Sequence, residues 1–278
     1  MIFPSKRTRL PNRDESVYFV HVSDTHFGPT VEYGRDHHLS YPCAVKLVEV
    51  INSLPMRPDF VVHTGDVTTN PDEAAYALAQ DVFAGLQVPC YFVTGNHDLA
   101  RLIRQYLPMG PLTWLVDDPN VLCYRFEVKG YRFLVLDGRA PDHLDPHGLL
   151  SEAQLDIVRQ EATADGPPLT VFVHFPVWPL NSPWMDANML ILNGDRLHEA
   201  LLPARKRLRG VFHGHVHQSM QTTRDGIVYT AVPSTYSQFT AWPTDLTAGH
   251  DPDYPPAFNI VQLLPEQTIV RQHVFGRP

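Results

Sequence analysis

At 278 residues with 44% hydrophobic content, the chain can bury a large core and form one layered domain with no linker. Its net charge of −8 runs against a nucleic-acid-binding surface, which needs clustered Lys and Arg to neutralise phosphates, so a small molecule is the expected partner and not a nucleic acid polymer. Three widely spaced cysteines, Cys43, Cys90 and Cys123, make neither a disulfide framework nor a metal knuckle, and with no secretory leader and no apolar run of bilayer length they point to a cytoplasmic protein without a membrane partner.

Residues 1–15 carry Lys6, Arg7, Arg9 and Arg13 and read as a basic N-terminal arm; 16–278 read as a single domain whose last part, from about 238, is a loop-rich extension. Val17 to Val22 is β-branched and aromatic, a strand, and Ala44, Leu47, Val48, Ile51 and Leu54 then recur at helical spacing. The unit repeats as Phe60 to His63 with a helix over Asp72 to Phe83, and as Cys90 to Val93 with a helix starting near Leu99. Such alternation predicts parallel strands with crossover helices. Val121 to Val128 and Tyr131 to Leu136 flank Lys129-Gly130, a hairpin signal that brings in antiparallel pairing. Ser151, with Gln154 three residues on, caps a helix to about Ala164. Strands follow at Leu169 to His174 and Gly210 to His213, then a hairpin at Asp225-Gly226 and an apolar segment from Phe258 to Leu264. Prolines crowd 176–183 and 243–256, marking shaped loops there.

Four short stretches at the ends of apolar runs hold residues that suit metal ions: Asp24-Thr25-His26, Gly65-Asp66, Gly95-Asn96-His97-Asp98 and Gly214-His215-Val216-His217. Carboxylates, an amide oxygen and imidazoles are ligands for manganese, iron, zinc or cobalt, and ligands in open α/β sheets gather beyond the carboxyl ends of strands. The chain therefore reads as a metallohydrolase. Each stretch also has a plainer reading. Gly-Asp is often only a turn, and Asn96 or Asp98 alone could be a helix N-cap. His174 alone is as readily a core histidine as a ligand. Among His213, His215 and His217, alternation along an extended segment does not say which pair ligates. Asp36-His37-His38 and Asp145-Pro146-His147 lie in polar loops and read as solvated surface, with His37 and His38 kept as rim contacts. Trp178 and Trp184 offer faces for a nucleobase, though aromatics among prolines more often pack down their own loop.

Taken together, Asp24-x-His26, Gly65-Asp66, Gly95-Asn96-His97-Asp98, His174 and Gly214-His215-x-His217 resemble the calcineurin-like metallophosphoesterases, over a span from about Tyr18 to Tyr236. The run from Ile51 to Asp59 and the segment around Met185-Asp186 look most like bacterial glycerophosphodiesterases and class III cyclic nucleotide phosphodiesterases. The resemblance implies an α/β fold, a four-layer α-β-β-α sandwich of two mixed sheets flanked by helices. It implies two divalent or mixed-valence transition-metal ions: Asp24, His26 and His217 on the first, Asn96, His174 and His215 on the second, and Asp66 bridging. Two such ions, roughly 3.5–4 Å apart, acidify a shared water for in-line attack on a small phosphodiester, a cyclic nucleotide or a glycerophosphodiester. Asp66 and Asn96 thus belong to the catalytic machinery, and His97 is the residue placed to stabilise the developing charge or protonate the leaving alkoxide. Asp98 falls to a supporting role behind the ligands. A phosphomonoesterase using the same centre and a catalytically silent metal-binding module are the alternatives, and homo-oligomerisation is left open. Two departures from the family pattern bear on substrate: His174 is followed by Phe175, not a second histidine, and Pro233-Ser234-Thr235-Tyr236-Ser237-Gln238 lacks a histidine found in the glycerophosphodiesterase relatives.

Overall fold

The computed structural model describes residues 15–35 and 37–278. The basic arm expected over 1–15 thus lies outside the described residues except for Glu15, and so does Asp36. In chain order the strands are β1 (Val17–Val22), β2 (Gly34–Arg35), β3 (His38–Leu39), β4 (Phe60–His63), β5 (Cys90–Phe92), β6 (Thr113–Trp114), β7 (Tyr124–Val128) and β8 (Tyr131–Val135). They continue with β9 (Leu169–Phe172), β10 (Leu208–His213), β11 (Gln221–Arg224), β12 (Ile227–Ala231), β13 (Gln238–Thr240), β14 (Gly249–Asp251), β15 (Ala257–Leu263) and β16 (Thr268–Val274). The α-helices are α1 (Ser40–Asn52), α2 (Glu73–Phe83), α3 (Ala100–Tyr106), α4 (Glu152–Glu161), α5 (Pro183–Asn188) and α6 (Gly194–Leu201).

Two mixed sheets result. One has the order β16-β15-β1-β4-β5, the other β11-β12-β10-β9-β8-β7-β6. The crossover units predicted from the alternation are present, since β4 runs parallel to both β1 and β5. The Lys129-Gly130 hairpin joins β7 and β8 in antiparallel register. The sheets meet face to face through fully buried phenylalanines: Phe19 stacks on Phe60 at 5.1 Å between ring centres and meets Phe172 and Phe212 edge-on at 5.6 and 5.4 Å. Helices cover the outer faces. Leu47, Ala79 and Ile103 of α1, α2 and α3 join the core of the first sheet, and Leu155, Val158 and Leu197 of α4 and α6 pack with Leu134, Val171 and Val211 of the second. This is the four-layer sandwich that the resemblance implies.

Differences at element ends have local causes. α1 starts four residues before Ala44 and takes Pro42 into its first turn, where a missing N–H costs nothing because that group has no intrahelical partner. α5 likewise begins on Pro183 inside the proline-rich loop. Ser151 caps α4 by accepting from the Gln154 amide at 3.3 Å, but Gln154 does not return the bond. Its side chain instead clamps both backbone groups of Asp137, at 2.8 and 2.7 Å. In the tail, the apolar segment expected from Phe258 to Leu264 falls on β15. The loop-rich extension expected from about 238 contains β15, paired with β1 inside the first sheet, and β16 at its edge. The isolated polar residues Asn259 and Gln262 break up the apolar run of β15, and β16 has an exposed, polar edge face.

Candidate metal centre

The chain turns sharply after each of β1, β4, β5, β9 and β10, and every turn delivers candidate ligands to the same end of the sandwich. Backbone bonds lace the turns together: Asp24 N–H to Gly65 O and His26 N–H to Asp66 O, each 3.0 Å, and Gly214 N–H to His174 O, also 3.0 Å. Asp24, His26, Asp66, His215 and His217 all have left-handed backbone angles, with φ between 46° and 69°. Non-glycine residues take that conformation at a cost, and such outliers cluster where side chains must be aimed at a ligand. Gly65 (φ +102°) and Gly214 leave room for this close approach. A Cβ on Gly65 would sit 2.5 Å from His174 Nδ1, and one on Gly214 only 1.9 Å from Ser23 Oγ.

The donor atoms fall into overlapping groups. Those of Asp24, His26 and His217 lie within 4.8 Å of one another, as do those of Asp66, His174 and His215. His26 Nε2 faces His217 Nε2 at 3.1 Å, and Asp24 Oδ1 lies 3.2 Å from the same His217 nitrogen. In the second group His174 Nε2 faces His215 Nδ1 at 3.0 Å and Asp66 Oδ2 at 3.3 Å. Asp66 Oδ2 is also 3.7 Å from His26 Nε2, so one carboxylate touches both groups. A third group joins His26, Asp66 and His97. His213, which sequence left in competition with its neighbours, is in none of the groups among the described residues, and its Nδ1 donates to Gly214 O at 3.2 Å. The His38 ring bonds Pro252 O, and among the described residues neither it nor the exposed His37 joins a donor group.

Backbone carbonyls orient the rings. Thr64 O is 2.7 Å from His174 Nδ1, and Ser237 O is 2.7 Å from His217 Nδ1. A carbonyl only accepts, so each Nδ1 carries its hydrogen and each Nε2 turns inward. Burial alone would raise the Asp24 and Asp66 carboxyls, but His217 beside Asp24, and His174 and His97 beside Asp66, hold both well below the usual range. Burial pushes His26 and His215 well below the ordinary imidazole value. It would lower His174 too, yet the adjoining Asp66 carboxylate prevails and lifts that imidazole to about 9. The centre thus holds ionised carboxylates at Asp24 and Asp66 and neutral imidazoles at His26 and His215, with a proton on His174 for an incoming cation to displace.

Supporting residues complete the picture. The Asp98 carboxylate accepts from the backbone of Val67, Thr68 and Gly95 and from the Tyr76 hydroxyl, at 3.1 to 3.2 Å, and so pins the Asp66 turn to the Asn96 turn. Burial pushes that carboxyl up to about 6. Asp145, read from sequence as solvated surface, accepts from Asn96 Nδ2 at 3.1 Å. Ser234 Oγ donates to Asp24 O at 2.8 Å. Nothing in the local pattern of either residue marks these roles; they depend on long-range contact. Trp178 packs edge-on against His198 under Arg224, and Trp184 packs against Phe239, so both tryptophans pack on other elements and not on their own loop.

The donor set fits divalent cations. Asp24 Oδ1 and Asn96 Oδ1 are buried without a hydrogen-bond partner among the described residues, a state that costs free energy unless a cation satisfies it. Hard oxygens mixed with imidazole nitrogens match manganese, iron, zinc or cobalt.

Comparison with known proteins agrees. A family model described as calcineurin-like phosphoesterase matches residues 17–219. The chain is 30% identical over 251 residues to the 3′,5′-cyclic adenosine monophosphate phosphodiesterase CpdA of Pseudomonas aeruginosa, covering 87% of this chain and 85% of that one. It is 29% identical over 260 residues to the glycerophosphodiester phosphodiesterase GpdQ of Enterobacter lignolyticus, covering 91% and 89%. The solved structure of a dimetal phosphatase from Danio rerio shares the fold, with a TM-score of 0.71 at 18% identity over 93% of this chain and 96% of the other.

Proposed function

The chain belongs to the calcineurin-like phosphoesterase family, and from that premise we propose that it is a binuclear metal-dependent phosphodiesterase for small diesters, a cyclic nucleotide or a glycerophosphodiester. The observation that carries this reading is the placement of Asp66, whose Oδ2 lies 3.3 Å from His174 Nε2 and 3.7 Å from His26 Nε2. A carboxylate shared by two donor groups is what two neighbouring cations require. Asp24, His26 and His217 would hold one ion, Asn96, His174 and His215 the other. Bound there, the pair would supply an acidified water and neutralise phosphoryl charge.

The chain's own residues do the rest. Thr64 O and Ser237 O fix the tautomers of His174 and His217, Asp145 orients the Asn96 amide, and Asp98 holds two turns in register. His97 is half-buried, its backbone N–H tied to Asp66 Oδ1 at 3.0 Å, and its imidazole is the group nearest to hand for protonating a leaving alkoxide.

The test reloads metal-free protein with manganese, zinc, cobalt or iron and assays cyclic nucleotides, glycerophosphodiesters and monoesters. The expected result is diester turnover that depends on about two equivalents of metal, with both equivalents weakened in Asp66→Asn. Monoesters turned over faster than diesters would make the chain a phosphomonoesterase, and metal binding without any turnover would make it a silent module.

A further inference from the structure

Next to His217 the surface opens into a cavity of about 330 Å³, whose walls include His217, Gln218, Phe239, Trp242, Asp251 and Tyr254. We propose that this cavity is the subsite for the base of a nucleotide-type diester, so that the chain favours nucleotides over glycerophosphodiesters; the inference rests on the phosphodiesterase reading above.

Position comes first. The Phe239 ring lies on the His217 ring, 4.4 Å between centres and 21° from parallel, and is backed by Trp184 at 5.9 Å. The cavity therefore shares a wall, His217, with the candidate metal centre. Its surface is unusual. Trp242 is 69% exposed and Tyr254 38% exposed, although aromatic rings of this size normally lie against protein. A planar base between such rings covers apolar area and stacks on their faces, as bases do on aromatic side chains elsewhere. Glycerol has no face to stack.

The polar groups agree. Among the described residues no Lys or Arg lines the cavity, which disfavours an anionic occupant. The Asp251 carboxylate is held through Oδ1 by the backbone N–H groups of Asp253 and Tyr254, at 2.9 and 3.1 Å. A fixed acceptor there suits the amino or ring N–H of a base. The volume lies at the lower end for small-molecule pockets, large enough for a base and part of its sugar.

The experiment measures KM and kcat for adenosine 3′,5′-cyclic monophosphate and for glycerophosphoethanolamine, in the wild type and in Trp242→Ala and Asp251→Ala. It adds calorimetric binding of adenosine, which has no phosphate, to the metal-free protein. Trp242→Ala should raise KM for the cyclic nucleotide about tenfold, leave kcat within about twofold, and leave the glycerophosphodiester KM unchanged, while adenosine binding weakens about tenfold. Asp251→Ala should weaken adenosine in the same direction. Parallel changes for both substrates, no change for either, or adenosine binding indifferent to Trp242 would overturn the inference. If no diester is hydrolysed but adenosine still binds through Trp242, the cavity assignment stands and the phosphodiesterase reading falls. Diester hydrolysis with no adenosine binding gives the reverse.

Discussion

Asn96 and Asp145, 49 residues apart in the chain, meet with Asn96 Nδ2 donating to Asp145 Oδ1 at 3.1 Å. The bond fixes which way the amide points and leaves Asn96 Oδ1 buried without a partner among the described residues, the atom a cation would need. Asp145 itself is exposed, so its removal should not disturb the core. In Asp145→Ala the amide loses its orienting acceptor. Calorimetric titration of manganese into metal-free protein should then show one of two binding steps weakened by about 10- to 100-fold, the range for lost supporting hydrogen bonds, with the thermal midpoint of the metal-free protein unchanged. Two steps identical to wild type would show that Asn96 needs no such support.

Much of this candidate centre is legible in the chain, because each candidate ligand follows an apolar strand and the strand ends are readable from periodicity: Asp24 after β1, Asp66 after β4, Asn96 after β5. What sequence did not give was tertiary. Strand alternation alone leaves His213 level with its neighbours and only the resemblance favours His215 and His217; the physical reason is the turn at Gly214, after which both take left-handed angles. Asp145 sits in a loop of ordinary surface composition, and only the fold brings it to Asn96. β15 is visible in the chain as the apolar segment from Phe258 to Leu264, but its pairing with β1 over five residue pairs and the more polar β16 are not, because the prolines of 243–256 just before them read as an irregular tail.

The buried histidines make the stability of the metal-free protein depend on pH in both directions. His63 donates through Nε2 to Thr25 Oγ1 and accepts from Gly65 N–H at Nδ1. Burial lowers it to about 4, as it does His213. Between pH 4 and about 6.5 the unfolded chain binds protons that these folded histidines refuse, so their contribution is complete above about 6.5 and lost progressively toward 4. Asp98, raised to about 6, opposes this slope. His174 works the other way. Its folded value of about 9 gives stability that is complete below about 6.5 and lost as pH rises through 9. Urea unfolding in the presence of chelator should show maximal stability near neutrality. His63→Gln should flatten the acid limb by up to about 1.4 kcal/mol per pH unit, and saturating metal should flatten the alkaline limb by displacing the His174 proton. An acid limb of the same slope in His63→Gln would mean that His63 is not kept neutral by the fold.

His97 stands between two roles. Its donor atoms lie within 4.8 Å of those of His26 and Asp66, and its ring meets that of His26 edge-on at 5.2 Å between centres, so geometry admits both a ligand and a proton donor. The two separate by stoichiometry and by leaving group. A proton donor is needed most when the departing oxygen is a strongly basic alkoxide and least when it is nitrophenolate, which leaves as the anion. His97→Ala should therefore bind the same number of metal equivalents as the wild type, lose about 10²- to 10⁴-fold in kcat on alkyl diesters, and lose little on nitrophenyl diesters. Equal loss on both substrates with metal content intact would assign His97 to stabilising phosphoryl charge, since that charge develops whichever group departs. A drop in stoichiometry would instead make it a ligand, and Asp66, whose Oδ1 accepts the His97 backbone N–H, would then be shared by adjoining sites through both of its oxygens.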